Sequence, residues 1–469
     1  MSILITQTSN RLNLASSDML FEVTSSFTGS AQYQYISVLR DGGNTTLTTV
    51  KQQPNPSGFG VFNLGRLVPQ YLSYDTNYFD MGADSAFYKN SQVAKFFKVA
   101  FGEEYASNFT ASALVYNGIV NNVTGSPAQT GSINYYYFIN GIVDPNSGDW
   151  NWNTSSYYSP QATPSSASFT KNVCLTDAPR TQSARAGDYL TISAINGNIL
   201  GTTSSAQDIY AFDYNVYYTG SLVFTGSEFN INSPGNEIQY GGPRTSSAQL
   251  WSAVATVQTA SNNINSQTSG SLLINMGIGP ANLTAIGNYN FNSQPWDYYD
   301  VILRPQRSAS TINTSASWDR FRINKQEGSC GYDGVRFAWI NNYGVWDYYN
   351  FPLQSNKTTA LQRGQFTANF VQYNTPTTTV AYNKRRRGLN YYDININEIF
   401  TANSDWLTQE EADHLETLFY SPNVYIQDIN EMLPVVILDS GFESKTNPRT
   451  QKNFQYTVTY ALANSKRSR

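Results

Sequence analysis

The sequence predicts a mainly β chain, and three observations lead there. Tyr alone occurs 34 times within an aromatic content of 14%, and aromatic side chains suit a pleated, half-buried surface. Charged residues make up only 13% of the chain, about half the usual fraction, so the Lys and Glu that favour helices and solvent-facing surfaces are scarce. Short alternating segments recur between clusters of Gly, Asn and Ser, the pattern of strands joined by turns. At 469 residues the chain is long enough for several domains, each with its own core.

Taken in order, Ile3–Thr6, Met19–Ser25, Gln32–Leu39 and Thr45–Val50 read as strands of a small sandwich of immunoglobulin-like type, closed by Pro54-Asn55-Pro56-Ser57-Gly58. Leu64, Leu67, Val68, Tyr71 and Leu72 then recur at helical intervals and predict one short helix on the sheet, made less regular by Pro69. Strands are expected at Val93–Glu104, Ser112–Val120 and Tyr135–Ile142. The composition shifts between 144 and 172 to Pro, Ser and Asn with Trp150 and Trp152, marking a long loop or linker. A central β domain is expected over 173–315, with strands at Asp188–Ile195, Ile209–Val216, Ser221–Phe224, Leu250–Val257, Ser271–Ile274 and Val301–Leu303.

The C-terminal domain, 316–469, contains the most strongly patterned stretch. Val335, Phe337 and Trp339 share one face, Asn341, Asn342 and Gly344 supply a turn, and Trp346–Phe351 returns, which predicts a β-hairpin. The phrase Trp-Asp-Tyr-Tyr at 346–349 also stands at 296–299, as if one module were used twice. Strands follow at Thr377–Tyr382 and Asn390–Ile396. A helix is expected at Gln409–Tyr420, capped by Thr408 with Glu411 completing a capping box, and with Ala412, Leu415, Leu418 and Phe419 as its buried stripe. Strands at Val424–Ile426, Pro434–Leu438 and Phe454–Tyr460 give that helix a sheet to lie across.

Little here points to chemistry. His414 is the only histidine, so a His-rich metal site is excluded and a structural role is expected. Cys174 and Cys330 lack CxxC spacing; a bridge between them has no support, and the chain is expected to fold without oxidation. Gly277-Ile278-Gly279-Pro280 is a turn, not a dinucleotide loop. Two carboxylates beside aromatic surface could hydrolyse a glycoside, and Asp297, Asp300 or Asp347 beside Trp296 and Trp346 would be the candidates. The simpler reading is that each Asp caps a turn or pairs with a local Arg. Asp144–Asp149 has oxygen donors but lacks the downstream Glu of a calcium loop. The N-x-S/T matches at Asn122 and Asn282 are expected by chance in so Asn-rich a chain. Met1–Thr6 lacks the features of a signal peptide, and no apolar run reaches membrane-spanning length. The expectation is a non-enzymatic chain with no cofactor, metal or membrane insertion.

The net charge of −4 gives no long-range attraction to nucleic acid. Lys384-Arg385-Arg386-Arg387 is the one internal basic cluster, read as a loop facing an acidic neighbour or solvent in preference to a nucleic-acid contact. Trp150 and Trp152 can grip a sugar ring or plug into a neighbouring subunit; low charge, which predicts covered surfaces, favours the second.

The N-terminal β domain followed by Gly60-Val61-Phe62-Asn63-Leu64, the stretch Cys330–Phe351, and the ending Trp406-Leu407-Thr408 through Ser421-Pro422-Asn423-Val424-Tyr425-Ile426 resemble virion structural proteins of tailed phages, in particular the tail-ring proteins of crAss-like phages. The resemblance covers most of the chain in outline. It implies a many-copy ring in the virion tail, stacked with other rings around the DNA channel, with other tail and portal-proximal proteins as partners and no specific nucleic-acid binding. Assembly would take place in the host cytoplasm. Muzzle, hub and baseplate subunits are equally compatible. Lys384, Arg385, Arg386, Arg387, Trp150, Trp152 and the tail Lys466–Arg469 are then the expected subunit contacts. The alternative is a receptor- or carbohydrate-binding tail protein.

Overall fold

A computed structural model describes residues 3–7, 9, 12–25, 34–41, 45–74, 87–89, 93–104, 115–116, 135–142, 174–195, 209–229, 273–308, 311–312, 319–327, 334–368, 371–374, 379–382, 385, 388–428, 431–439 and 455–464. The chain divides into two compact units: Met1–Gln326 with Ile340–Tyr348, and Glu327–Trp339 with Tyr349–Arg469. Both are mainly β.

In the first unit β1 (Ile3–Gln7), β2 (Leu12–Leu14), β3 (Leu20–Ser25), β4 (Gln34–Asp41), β5 (Thr46–Gln52) and β6 (Gly60–Asn63) precede a 3-10 turn, Val68–Tyr71. They are followed by β7 (Phe87–Lys89), β8 (Ala94–Glu104), β9 (Val115–Tyr116) and β10 (Tyr135–Ile139). One sheet has the order β1-β3-β6 and another β2-β10-β8-β4-β5. Ile5, Phe21, Val23 and Phe62 from the first sheet share a core with Tyr35, Leu39, Phe97, Phe101, Tyr136 and Phe138 from the second. Phe101 lies 5.3 Å from Phe21 and 5.7 Å from Phe62, ring centre to ring centre.

The opening strands therefore do not form a sandwich by themselves. β4 is buried on both faces, and its neighbour across from β5 is β8, contributed far downstream. Pro54–Gly58 does not close a domain; it is the turn into β6, where Asn55 Oδ1 accepts from the amides of Ser57 and Phe59, each at 2.9 Å. The expected helix is also corrected. The chain stays extended through Asn63 and makes only the 3-10 turn, with Pro69 inside it removing a backbone donor. Leu64, Val68 and Leu72 are buried all the same.

Four of the five residues at Gly60–Leu64 have structural roles, while Val61 is exposed. A β-carbon on Gly60 would run into the Tyr35 ring, and Phe62 and Leu64 enter the core. Asn63 Oδ1 accepts from the amides of Met19 and Gly65, and Asn63 Nδ2 donates to Asp18 at 2.6 Å.

The rest of the first unit contains β11 (Thr181–Ala184), β12 (Thr191–Ile195), β13 (Ile209–Tyr218), β14 (Ser221–Phe229), β15 (Leu273–Gly277), α1 (Pro280–Ile286), β16 (Tyr298–Ser308), β17 (Thr311–Ile312) and β18 (Arg320–Lys325). The larger sheet runs β11-β18-β16-β13-β14 and the smaller β12-β15-β7. Thr219 and Gly220 both have positive φ, as a two-residue hairpin turn requires. The turn expected at Gly277–Pro280 opens into α1, a helix not expected from sequence. Pro280 begins it, and Gly287, in the left-handed region, ends it. The expected strand Leu250–Val257 lies outside the described residues.

The second unit holds the seven-stranded sheet β20-β19-β25-β26-β27-β24-β21, formed by β19 (Val335–Ile340), β20 (Trp346–Phe351), β21 (Asn356–Thr367), β24 (Leu389–Asn403), β25 (Val424–Asp428), β26 (Glu431–Ile437) and β27 (Thr457–Leu462). β22 (Val371–Asn374) and β23 (Thr379–Tyr382) pair with each other. The helix α2 (Gln409–Phe419) has the expected capping box. Its Ala412, Leu415 and Leu418 pack with Phe337, Trp339, Val424 and Val458 of the sheet.

The β19–β20 hairpin forms as expected, with its turn residues counted in the first unit. There Asn341 Oδ1 accepts from the amides of Tyr343 and Val345, and Ile142 donates to the Asn342 carbonyl at 2.6 Å. Gly344 has φ +76°, and a β-carbon on it would meet the Asn140 carbonyl, so only glycine fits.

Candidate functional site

Of the residues expected at subunit contacts, Trp150, Trp152, Lys384, Arg386, Arg387 and the tail Lys466–Arg469 lie outside the described residues, as do Cys330 and Asp144–Asp149. Arg385 is exposed on a turn between β23 and β24.

That turn stands beside the most exposed regular structure among the described residues. β21 and β24 pair antiparallel from Asn356↔Thr401 to Thr367↔Leu389. β24 also pairs with β27, but only over Phe400–Asn403, so from Leu389 to Ile399 the two strands form a ribbon of their own. Alternation puts Ala402, Phe400, Glu398, Ile396 and Ile394 on one face, apolar but for the glutamate. Ala402 is fully buried in the core and Phe400 stacks on Tyr460. The same apolar face then runs beyond the covered part of the sheet, where Leu361, opposite Ile396, is 48% exposed. Lys357 ion-pairs with Glu398 at 2.8 Å, and the Arg363 guanidinium lies 5.5 Å from the Tyr391 ring centre. On the other face Tyr392, at a bulge and 69% exposed, sits over Gly364 beside Phe366.

β21 was missed in the sequence because its Thr- and Gln-rich run has weak alternation. Its partner carried the clearer signal: Ile394-Asn395-Ile396-Asn397 alternates as a strand with one apolar face.

A second surface lies on the outer face of the larger sheet in the first unit. Tyr217 and Tyr298 are register partners and stack at 4.7 Å with planes 15° apart. The Arg322 guanidinium sits 4.4 Å over the Tyr298 ring. Asp300, buried, is bridged by Arg322 through 2.8 and 3.0 Å hydrogen bonds and by Arg320. Burial pushes the Asp300 carboxyl up, but the hydrogen bonds and charges of the two arginines outweigh it and hold the group below its ordinary value.

A carboxylate with a lowered folded-state pKa adds stability above its unfolded pKa and loses it as the pH falls through the folded value. Asp300→Asn is therefore expected to cost about 1 kcal/mol near neutral pH, modest because both arginines are half-exposed. The gap from wild type should close below about pH 4. Urea unfolding across pH 2–7 measures this, and a gap independent of pH would contradict it.

The acidic-aromatic groups considered for glycoside chemistry are arranged otherwise. Trp296 and Trp346 are buried. Trp296 Nε1 donates to the Phe291 carbonyl at 3.2 Å. Asp297 Oδ2 accepts from the Thr219 amide at 2.6 Å, capping the β13–β14 turn. Asp347 is buried and accepts from the Thr176 hydroxyl at 2.6 Å, Asn341 Nδ2 at 3.0 Å and the Asp177 amide at 3.2 Å. The two Trp-Asp-Tyr-Tyr phrases are therefore not one module. β20 begins at Trp346, whereas β16 begins two residues later at Tyr298, so Asp347 is buried and Asp297 exposed.

His414 is buried, its ring 4.8 Å from Trp339. Asn282 is buried with Oδ1 accepting from the Leu190 amide, which leaves no room for a glycan. Burial pushes the Cys174 thiol well up, and the nearby Asp319 adds to the effect, the opposite of what a reactive thiolate needs. Among the described residues no three His, Cys, Asp or Glu side chains group to hold a metal ion, and no helix is long and apolar enough to cross a membrane. A scan against family models finds no match, and no curated protein matches the chain.

Proposed function

We propose that the chain is a non-enzymatic structural subunit of a bacteriophage virion. It would be a tail-ring or tail-tube protein, in the head-to-tail or baseplate region, that assembles in many copies around the DNA channel. Its sandwiches are read as immunoglobulin-like domains, and its partners as further copies of itself and neighbouring tail or portal-proximal proteins. The supporting observation is the β21/β24 ribbon, whose apolar face continues the core face of its sheet and remains exposed at Leu361 and Tyr391. A surface patterned for burial and exposed among the described residues fits a subunit completed by assembly. The low charge fits as well, since phosphate contacts depend on Lys and Arg.

The test is the native mass and negative-stain image of purified protein, alone and mixed with virion extract. Rings of about twelve copies are expected; a monomer under every condition would overturn the proposal. The half-buried Tyr217–Tyr298 pair supports a second reading, a carbohydrate-binding tail protein, because paired aromatic faces can stack on sugar rings. Glycan-array binding lost in Tyr298→Ala would favour it.

A further inference from the structure

The turn of the β19–β20 hairpin, Ile340–Tyr348, belongs to the first unit although it follows the rest of that unit in the chain. It meets two segments there. One is Asn140–Ile142, directly after β10; the other is Leu175–Ala178 with Thr191 of β12. β10 and β12 lie in different sheets.

Toward the first flank, backbone meets backbone. Ile142 donates to the Asn342 carbonyl at 2.6 Å. A β-carbon on Gly141 would lie 2.6 Å from that carbonyl oxygen and 2.9 Å from Tyr343 Cα, and one on Gly344 would strike the Asn140 carbonyl. Only glycine at both positions permits so close an approach.

Toward the second flank, the contact runs through side chains. Asn341 Nδ2 donates to the Leu175 carbonyl at 3.1 Å. The Thr176 hydroxyl and the Asp177 amide donate to the Asp347 carboxylate at 2.6 and 3.2 Å, and the Tyr348 hydroxyl lies 2.8 Å from that of Thr191. Asn341, Asp347, Tyr348 and Thr191 are all buried. Leu175 in turn donates to the Ser193 carbonyl of β12 at 2.8 Å.

Asn341 joins the two flanks. Its Nδ2 also donates to Asp347 Oδ2 at 3.0 Å, while its Oδ1 holds the amides of Tyr343 and Val345. The side chain that reaches Leu175 therefore also shapes the loop that meets Asn140–Ile142. Loss of either flank strips buried groups of their partners, which is costly, and a shared network of this kind opens together.

We infer that Ile340–Tyr348 is a conformational latch: it opens as a whole, and its opening releases Asn140–Ile142 and Leu175–Ala178 together. The inference stands apart from the reading of the chain as a virion subunit. The rival link between the two regions is β7, the one strand from the first 142 residues that shares a sheet with β12 among the described residues.

Hydrogen exchange of the full chain tests it by perturbing each flank and reading the opposite one. Gly344→Ala presses on Asn140 and is expected to speed exchange at the Asp177 amide, across the turn, about tenfold. Asp347→Ala acts on the Asp177 side and is expected to speed exchange at the Ile142 amide by a similar factor. The Ala412 amide, bonded to Thr408 at the start of α2, should not change in either. If each variant loosens only its own flank, the latch is overturned and β7 is left as the link. The wild-type protein supplies a check that needs no variant. In rising urea below the unfolding transition, the Ile142, Asp177 and Val345 amides are expected to share one urea dependence, the mark of a single opening; separate dependences would overturn the latch.

Discussion

Replacing Trp339 with Ala is expected to destabilise the second unit by about 3–5 kcal/mol, the usual cost of removing a large buried aromatic side chain. Trp339 is fully buried, donates from Nε1 to the Thr417 hydroxyl at 2.7 Å and packs at a tilt against the His414 ring. It ties β19 to α2, so its loss leaves both a cavity and a helix with a weakened seat. Thr417 keeps a local partner, because its hydroxyl also donates to the His414 carbonyl, and the effect should therefore be dominated by packing. Trp406→Ala is the control: Trp406 is 63% exposed, and its removal is expected to change stability by no more than about 0.5 kcal/mol. Denaturant unfolding of the two variants measures the contrast, and equal effects would contradict it.

Asp347→Ala is expected to cost about 3 kcal/mol, because it strips an acceptor from one buried and two part-buried donors at once. The Thr176 hydroxyl, the Asp177 amide and the Asn341 side-chain amide all converge on this carboxylate. Asn341 in turn shapes the hairpin turn through Tyr343 and Val345. Loss of the carboxylate should therefore loosen the Leu175–Ala178 segment together with the turn, seen as faster hydrogen exchange at the Asp177 and Val345 amides. Asp347→Asn keeps one acceptor oxygen and the shape, and should lose less. Unchanged exchange in the Ala variant would show that the turn holds without this hub. Asp297→Ala is milder by the same reasoning, since its carboxylate is exposed and caps a single turn.

The β character, most strand positions, the β19–β20 hairpin and the capping box of α2 were legible in the chain itself, because each depends on residues close together in sequence: alternation over a few positions, an Asn and Gly turn, or a Thr three residues before a Glu. Tertiary structure alone decided which strands are neighbours. It joined β4 to β8 and β2 to β10, so the opening strands complete their core with aromatics from much later in the chain. It also gave two identical Trp-Asp-Tyr-Tyr phrases opposite fates for their Asp, because strand register, which no local pattern specifies, sets the face each residue occupies. The exposed ribbon follows the same rule. Its Ile-Asn alternation marked a strand with one apolar face, but whether another element covers that face depends on distant packing, which a local pattern does not encode.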